Sequence, residues 1–419
     1  MSIFDRSSLE IFKIKQYRYF ILARFFLTLG IQLQMSTINL QVYYEFTKEE
    51  FILGMIGLAE AVPFIIASFF SGHYADLLNR KKIILGGIFM LLLGAIALYV
   101  NSAPFVTVLR SFGLPALFII VMVFGVVRSF LAASVQPFMT SFVPRHLYTQ
   151  SSTWNSTAWH IGAILGPVIA GLIYAFRGQL HADWCYLLNI ALYVLAFVFI
   201  AITSYKQTFV PENTESIVQS MKVGLNFVFK NKMVLSALSL DLFAVLFGGA
   251  VVLIPAFTDK ILHLGPQAYG LLRTSPAIGA VFMALIMTVK PPGKKAGVAL
   301  LWSVVAFGLF TIGFAYSTNY WWAFAMLAFA GAFDNISVVI RHSILQLLTP
   351  DNMRGRVSAV NSIFIGSSNE IGAFESGVAA KFLGLVPSIA FGGVMTILVV
   401  LGIHKANPKL KDLDLTKDP

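Results

Sequence analysis

Charged residues are scarce in this sequence. They make up 12% of its 419 residues, whereas a soluble globular domain carries about 25%. Acidic residues are less frequent than basic residues, with 19 Asp and Glu against 30 Lys and Arg. Together with 58% hydrophobic residues and a mean hydropathy of +0.79, this scarcity excludes an ordinary soluble protein and indicates a membrane-embedded one.

Cysteine is almost absent as well. The single Cys185 excludes an internal disulfide, and we interpret it as a packing residue. We also expect no cleavable signal peptide, because residues 1–16 are polar and basic and the first apolar run is long enough to span a membrane.

The sequence signatures of catalysis and cofactor binding are missing. The sequence has no cluster of metal-ligating residues, no nucleophile triad and no Gly-x-x-x-x-Gly-Lys-Ser/Thr phosphate loop. We therefore expect no metal, no cofactor and no enzymatic activity, and energy for any transport must come from an ion gradient or the substrate's own gradient. The net charge of +11 lies in loops and not on a soluble domain, which argues against a nucleic-acid partner.

Long apolar runs dominate what is present. A membrane-spanning helix needs about 20 mainly apolar residues, and we number the runs of this length as spans 1 to 12. They cover residues 17–41, 51–74, 82–101, 112–142, 152–175, 184–203, 233–257, 266–290, 297–317, 319–345, 356–383 and 386–404. The predicted fold is an all-α membrane protein with twelve transmembrane helices in two six-helix bundles, 1–203 and 233–419, the second with a short cytoplasmic tail.

Lysines and arginines concentrate in alternate loops. The loops on the side of the N-terminus hold most of the 30 residues of this type, including Arg80, Lys81 and Lys82. The opposite loops hold Lys48, Arg110, Arg177, Lys260 and Lys381. Because positive charge is enriched in cytoplasmic loops, both termini are predicted to lie in the cytoplasm.

A polar segment, residues 204–232, separates the two halves. Within it, Ile217, Met221, Leu225 and Val228 recur at helical spacing. We predict a cytoplasmic linker whose amphipathic helix lies on the membrane surface.

The sequences of the two halves also resemble each other. Identical residues recur at a constant offset in the pairs Gly125/Gly331, Asn155/Asn361 and Gly166/Gly372. Two parallel repeats of this kind would enclose a substrate cavity at their interface, near the middle of the membrane.

The loop between spans 2 and 3, residues 72–82, reads GHYADLLNRKK. It resembles the Gly-x-x-x-Asp-Arg/Lys-x-Gly-Arg-Arg/Lys signature of the major facilitator superfamily of secondary transporters. The resemblance implies a cytoplasmic gating latch made by Gly72, Asp76, Arg80 and Lys81. Asn79 replaces a glycine of the signature, and asparagine tolerates the left-handed turn that glycine would supply. The alternative is that the cations only set the topology.

Span 5 carries a second signature. Gly162, Gly166, Pro167 and Gly171 resemble the Gly-x-x-x-Gly-Pro-x-x-Gly-Gly motif of antiporters in the same superfamily, with Ala170 in place of one glycine. The resemblance implies export. The alternative is plain helix packing, because glycines four residues apart allow helices to approach closely.

Arg128 lies near the middle of span 4, where an arginine is costly unless it is paired or hydrated. It resembles the span 4 arginine of antiporters, which implies a part in proton coupling, although the glutamine expected soon after it is missing. A structural charge pair is the alternative.

Three carboxylates, Glu60, Asp241 and Glu370, lie inside spans 2, 7 and 11. Ionisable residues within a membrane are candidates for function by default. Because apolar surroundings disfavour the charged form of a carboxyl group, such groups can exchange protons near neutral pH. We predict that these three residues, with Arg128, carry proton coupling.

Other polar residues in the spans are candidates for the cavity lining. They are Arg24, Gln32, Gln34, Asn155, His160, Asp334 and Glu375. Asp334 and Arg341 are seven residues apart and share a helix face, so a structural role is the alternative for both. For an isolated polar residue the alternative is an interhelical hydrogen bond.

A more specific resemblance begins at Pro350. The Pro-Asp-x-x-Arg-Gly-Arg-Val run at 350–357, followed by Ser368-Asn369-Glu370, looks like the enterobactin-exporter-like branch of bacterial major facilitator permeases. Because the cavity lies inside one chain we expect a monomer, and the resemblance implies a transporter in the bacterial inner membrane. It would perform proton-coupled efflux of a small amphipathic molecule (siderophore, drug or lipid-like) by alternating access. The alternatives are a uniporter or nutrient importer of the same fold, and a non-transporting membrane sensor.

Overall fold

The structure is a computed structural model that describes residues 6–103, 113–176, 179–204, 217–290, 293–350 and 353–415. These described residues form helices and turns without β-strands, which confirms the predicted all-α class. The α-helices are α1 Lys15–Gln41, α2 Glu50–Leu77, α3 Arg80–Ser102, α4 Gly113–Thr140, α5 Tyr148–Tyr174, α6 Ala182–Ile202, α7 Ile217–Lys230, α8 Lys232–Gly248, α9 Ile254–Lys260, α10 Pro266–Val289, α11 Ala296–Ala315, α12 Tyr320–Leu348, α13 Arg354–Leu383 and α14 Leu385–Ala406.

Among the described residues, 11 helical segments are long and apolar enough to cross a membrane. They coincide with predicted spans 1 to 10 and 12. Predicted span 11 is α13, whose 30 residues reach about 45 Å at 1.5 Å per residue but include many polar side chains. Asn361, Ser368 and Ser376 of α13 are buried, so neighbouring helices shelter its polar groups.

Asparagine side chains cap the N-termini of three spanning helices, α3, α8 and α12, and two of these caps lie in the second unit. The Oδ1 atom of Asn231 accepts hydrogen bonds from the backbone N–H groups of Met233 and Val234, at 3.1 and 3.2 Å. Asn319 caps the backbone N–H groups at the start of α12 in the same way. Because the first N–H groups of a helix have no partner within it, these caps stabilise α8 and α12 at their N-termini.

Predicted span 7 is interrupted in the structure. α8 ends at Gly248, a short 3₁₀ turn follows at Ala250–Leu253, and α9 then continues to Lys260. Successive glycines at 248 and 249 weaken a helix. A Cβ atom on Gly248 would lie 2.3 Å from Cε1 of Phe307, so the break is also a point of close packing.

The described residues form two compact units. The first is drawn from Met1–Gln41 and Val62–Thr214, and the second from Val42–Ala61 and Glu215–Pro419. In the first unit, α1 packs on α5 and α6, and α3 packs on α4 and α6. In the second unit, α8 packs on α13 and α14, and α11 packs on α12 and α14. The repeat seen in sequence therefore recurs as a repeated packing pattern.

The first half of α2 belongs to the second unit, where it lies against α13. A Cβ atom on Gly54 would lie 2.8 Å from Cα of Gly377, and one on Gly57 would lie 2.7 Å from Cβ of Ala373. The absence of side chains at these glycines lets the two backbones touch.

The helix of the predicted linker, α7, also packs on α13. A Cβ atom on Gly224 would lie 3.0 Å from the carbonyl oxygen of Arg356, and Val228 is fully buried in the core of the second unit. The apolar side of α7 thus contacts the protein. Residues 205–216 of the predicted linker lie outside the described part of the chain.

Large apolar side chains cover the outside of the helices. Ile119, Phe282 and Trp302 are each more than 60% exposed. Trp321 and Trp322, at the start of α12, are exposed in the same way. Apolar surface of this kind suits a lipid environment, and tryptophan at helix ends is typical of the membrane–water boundary.

Candidate functional site

A buried ion pair joins Asp241 of α8 to Arg341 of α12. The two side chains are only 7% and 3% exposed, and Arg341 Nε also donates to Ser337 Oγ at 3.3 Å. Removing two charges from water costs several kcal/mol per ion, and their attraction offsets this cost only when the geometry is good. A pair this deep inside a spanning bundle is therefore a candidate for function.

Asp334 adds a second carboxyl group to this pair. It precedes Arg341 by two helical turns on α12, about 10 Å along the axis, and interacts electrostatically with both Asp241 and Arg341. His342 interacts with the same two residues. We call Asp241, Asp334 and Arg341 the charge cluster. When both carboxyls are ionised and His342 is neutral, the cluster has one excess negative charge, which one bound proton would neutralise.

The structure thus unites residues that the sequence analysis treated separately. Asp241 is a predicted proton-coupling residue and Asp334 a predicted cavity residue; Arg341 forms an ion pair with Asp241 and interacts electrostatically with Asp334. Sequence reasoning missed this role of Arg341 because its partner Asp241 lies far away in the chain. The available signal was the occurrence of two intramembrane arginines, Arg273 and Arg341, with two intramembrane aspartates in the same half.

Three further carboxylates of the second unit lie on α13 or face it. Glu60 is fully buried on α2, and one turn before it a Cβ atom on Gly57 would lie 2.9 Å from the carbonyl oxygen of Glu370. Because residues three apart share a helix face, Glu60 and Glu370 occupy facing stretches of α2 and α13. Glu375 is half-buried and has no hydrogen bond or ion pair with another described residue.

A polar network lies inside the first unit. Gln34 is 1% exposed, and its Oε1 atom accepts hydrogen bonds from Asn189 Nδ2 at 2.8 Å and from the Tyr193 hydroxyl at 2.5 Å. Arg128 interacts electrostatically with Tyr193. Gln34, predicted for the cavity, thus contacts Tyr193 of α6 directly, whereas Arg128, predicted for coupling, acts on Tyr193 through its charge. Sequence reasoning missed Asn189 and Tyr193, for which the signal was a polar residue in the middle of span 6.

The glycine motif of α5 packs directly on α1. A Cβ atom on Gly162 would lie 3.0 Å from Leu29 N, and one on Gly166 would lie 2.6 Å from Cβ of Gln32. Pro167 and Gly171 are buried as well. The motif has a packing role in the structure, and its directional meaning stays a prediction.

Arg24, Asn155 and His160 are half-buried in the first unit. Each has a buried polar atom that forms no hydrogen bond within the described part of the chain: Arg24 Nε, Asn155 Oδ1 and His160 Nδ1. Buried polar groups are normally satisfied by protein or ordered water. These three groups are therefore open to water or to a polar group of a ligand.

The loop cations contact backbone carbonyls. Arg80 Nε donates to Ala75 O at 3.1 Å, and Lys81 Nζ donates to Ala201 O at 2.7 Å and to Thr203 O at 2.8 Å. A cation at the C-terminus of α6 satisfies carbonyls left unpaired by the helix and interacts favourably with its dipole. Gly72 is exposed, with open space where a Cβ atom would lie. The side chain of Asp76 lies outside the described part of the structure.

Asn79 does not adopt the left-handed turn that a glycine at this position of the signature would supply. Asn79 has φ −67° and ψ 110°, and its Oδ1 atom accepts a hydrogen bond from Lys82 N at 3.2 Å. Asn79 is the N-cap of α3. The side-chain hydrogen bond to the helix start, which glycine cannot make, accounts for this extended conformation.

Most of the chain matches a known protein family. Residues 20–373 match the Major Facilitator Superfamily. The multidrug efflux pump Tap of Mycolicibacterium fortuitum is 22% identical, and the alignment covers 87% of this chain and 89% of the pump. The enterobactin exporter EntS of Shigella boydii serotype 4 is also 22% identical, with coverage of 93% of this chain and 92% of the exporter.

Solved structures show the same architecture. A D-xylose–proton symporter superposes with a TM-score of 0.75 at 14% identity, over 95% of this chain and 99% of the symporter. A POT family transporter in complex with 5-aminolevulinic acid superposes with a TM-score of 0.73 at 14% identity, covering 94% and 96%. These similarities concern the fold.

Proposed function

Because this chain belongs to the Major Facilitator Superfamily, and is therefore a multi-pass membrane transporter and not an enzyme, we propose that it exports a small amphipathic organic molecule in exchange for protons. The direction is supported by two relatives that are named for efflux and export, Tap and EntS. The glycine motif of α5, with Gly162, Gly166, Pro167 and Gly171, agrees with this direction through its resemblance to antiporters.

The charge cluster carries the proposal of proton coupling. With one proton on Asp334 or Asp241, Arg341 pairs with the other carboxylate and the cluster is neutral, which suits a low-dielectric site. Loss of that proton leaves an excess negative charge, which favours a conformation in which the cluster meets water. The proton thus has different affinities for the two conformations, as any coupling ligand must.

Alternating access of the two bundles would complete the cycle. In transporters of this superfamily the substrate site lies near the middle of the membrane. Rocking of the two bundles exposes this site to one side of the membrane at a time. The unsatisfied polar atoms of Arg24, Asn155 and His160 would contact the polar part of the substrate. Aromatic and aliphatic side chains would contact the rest, which is why an amphipathic substrate fits.

The distribution of lysine and arginine supports the location. Loops on the side of the N-terminus carry most of the cations, so both termini would lie in the cytoplasm of a bacterial inner membrane. A monomer suffices, because a cavity of this type is formed within one chain.

Proton movement in proteoliposomes tests the proposal. Purified protein is reconstituted with an internal pH dye, a proton gradient is imposed, and siderophores, cationic dyes, macrolides and lysolipids are added in turn. We expect one class to trigger proton movement that Asp241→Asn and Asp334→Asn abolish. Glu10→Gln, an exposed carboxylate outside the cluster, serves as the control and should leave proton movement intact.

Two outcomes would overturn the mechanism. Substrate flux that continues without proton movement would establish a uniporter or another coupling ion. Flux in the direction of the proton would establish a symporter and therefore uptake.

A further inference from the structure

The C-terminal tail folds back onto the loop between α10 and α11. After α14, a 3₁₀ turn at Pro408–Asp412 leads to two backbone hydrogen bonds, Gly297 N to Leu413 O at 3.3 Å and Leu415 N to Gly293 O at 3.4 Å. Leu410 is fully buried, and a Cβ atom on Gly297 would lie 1.8 Å from its carbonyl oxygen. The tail is therefore a docked part of the second unit.

A side-chain contact secures the tail where it leaves α14. Asn407 Nδ2 donates to Lys232 O at 3.2 Å and to Ser236 Oγ at 3.0 Å, both at the start of α8. Leu413 and Leu415 pack against the hydrophobic core of the second unit. Because the leucines of the tail point inward, its lysines are left on the outside.

This docking collects six lysines at one end of the second unit, and we call this group the basic platform. They are Lys290, Lys294, Lys295, Lys405, Lys409 and Lys411, and all six are exposed. None of them forms an ion pair within the described part of the chain. The tail also carries two acidic residues, Asp412 and Asp414. The six lysines outnumber them, so the platform has a clear excess of positive charge.

The platform lies at the ends of three membrane-spanning helices. α10 ends at Val289, α11 begins at Ala296 and α14 ends at Ala406. The six lysines are within a few residues of these ends, so they lie at the level where the hydrocarbon meets the lipid headgroups. Clusters of four to eight lysines or arginines beside a spanning helix attract anionic lipids at short range.

We propose that the basic platform binds the phosphate groups of anionic phospholipids in the adjacent leaflet. Docking of Leu410 holds Lys409 and Lys411 beside Lys294 and Lys295, so that one or two headgroups can meet several ammonium groups at once. Compact ammonium groups act as point charges toward phosphate. The platform is distinct from the charge cluster and from the proposed transport cavity.

Lipid binding to the full-length protein tests this proposal without any transport substrate. Purified protein is titrated with phosphatidylglycerol in a phosphatidylcholine nanodisc background, and bound lipid is counted by native mass spectrometry. We expect the variant Lys294→Gln/Lys295→Gln/Lys409→Gln/Lys411→Gln to lose phosphatidylglycerol affinity by about tenfold or more. Affinity should also fall as salt screens the charges.

A control variant removes the same charge elsewhere on the predicted cytoplasmic side. Lys13→Gln/Lys82→Gln/Lys222→Gln/Lys230→Gln changes four exposed lysines outside the platform and should change affinity less than twofold. Leu410→Ala keeps every lysine but loosens the tail, and it should also weaken binding. An equal loss in the platform variant and the control would overturn the proposal, since it would show attraction by net charge alone.

Inorganic phosphate separates a lipid site from a free-anion site. Phosphate at millimolar concentration should displace little phosphatidylglycerol if the platform recognises headgroups at the membrane surface. Full displacement by phosphate, or binding of a soluble acidic peptide in preference to the lipid, would overturn the assignment. Thermal midpoints of all variants are compared first, so that misfolding is recognised separately.

Discussion

Glu50 and Lys260 form an ion pair, with 2.7 Å between Glu50 Oε1 and Lys260 Nζ. Beside it, Tyr43 and Lys48 both donate to Oδ2 of Asp259 at 3.0 Å. The ammonium group of Lys381 lies 4.4 Å from the ring centroid of Phe51. These polar contacts, with the glycine contacts between α2 and α13, attach the segment Val42–Ala61 to the second unit.

Reversing both charges of the Glu50–Lys260 pair should preserve the attachment, whereas reversing one should weaken it. Glu50→Lys or Lys260→Glu alone sets like charges together and should lower the thermal midpoint, and the double variant should recover it. Because the Lys260 side chain is 42% exposed, we expect a coupling energy of only about 0.5–1 kcal/mol. A double-mutant cycle of unfolding in detergent measures it.

The neighbouring residue Glu49 provides the matched control. It is exposed and has no ion pair within the described residues, so Glu49→Lys combined with Lys260→Glu should show no coupling. Equal coupling in both cycles would mean that net charge, and not the pair, is responsible.

Arg341→Met should strongly destabilise the protein, by about 3–5 kcal/mol, because it leaves Asp241 as a buried charge without compensation. The double variant Asp241→Leu/Arg341→Met should recover most of this loss, since no charge then remains unpaired. Denaturant unfolding of Arg341→Met, Asp241→Leu and the double variant, monitored by tryptophan fluorescence, gives the three values. Additive losses would contradict a direct pair.

Asp334→Asn, unlike Arg341→Met, should not destabilise the protein. It removes the second negative charge of the cluster and leaves Arg341 matched by Asp241 alone, so folding stability should be unchanged or slightly higher. Proton movement in vesicles should nevertheless be lost, because one carboxyl fewer is available to the proton. A loss of stability as large as that of Arg341→Met would show that Asp334 is a structural partner instead.

Gly166→Ala should destabilise the packing of α5 on α1. The added Cβ would lie 2.6 Å from Cβ of Gln32 and 2.8 Å from Leu33 N, and overpacking of this kind typically costs about 1–3 kcal/mol. Gly86→Ala in α3 is the control, because open space surrounds that position; it should be neutral or stabilising, as alanine favours a helix over glycine. Thermal unfolding compares the two, and equal effects would argue against close contact at Gly166.

Lys81→Gln should loosen the loop between α2 and α3. The shorter, neutral side chain loses two hydrogen bonds to the C-terminal carbonyls of α6, at a cost of about 1–3 kcal/mol. The adjacent exposed Lys82, changed to Gln, should have little effect on the thermal midpoint. If the loop is a gating latch, the Lys81 variant should also change the transport rate, measured in reconstituted vesicles. A change in stability without a change in transport rate would leave Lys81 with a structural role only.

Much of the fold could be predicted because its causes are local. A run such as 82–101 becomes a spanning helix because its own side chains suit lipid and its backbone hydrogen bonds close within it. Gly162 and Gly166 could be recognised as packing positions because their spacing puts them on one helix face. Asn79 shows what a local argument leaves open: asparagine tolerates a left-handed turn and can also cap a helix, and the start of α3 directly after it favoured the cap.

The candidate site was only partly predictable. Asp241 and Asp334 could be selected as ionisable residues within a membrane, but the ion pair of Asp241 with Arg341 depends on α8 and α12 lying close together. Gln34 looked like a cavity residue, yet α6 supplies Asn189 and Tyr193 as its partners. A polar side chain in a span signals that it needs a partner, without indicating which helix provides it.

The sequence by itself determined the membrane class, the spans, the repeated halves and the family, since hydropathy, helical spacing and short motifs are properties of neighbouring residues. Only the tertiary structure decided that Val42–Ala61 joins the second unit, that Arg341 pairs with Asp241 and that the tail docks on the loop after α10. Each of these features depends on contacts between residues distant in the chain, and such contacts form only when several helices pack at once.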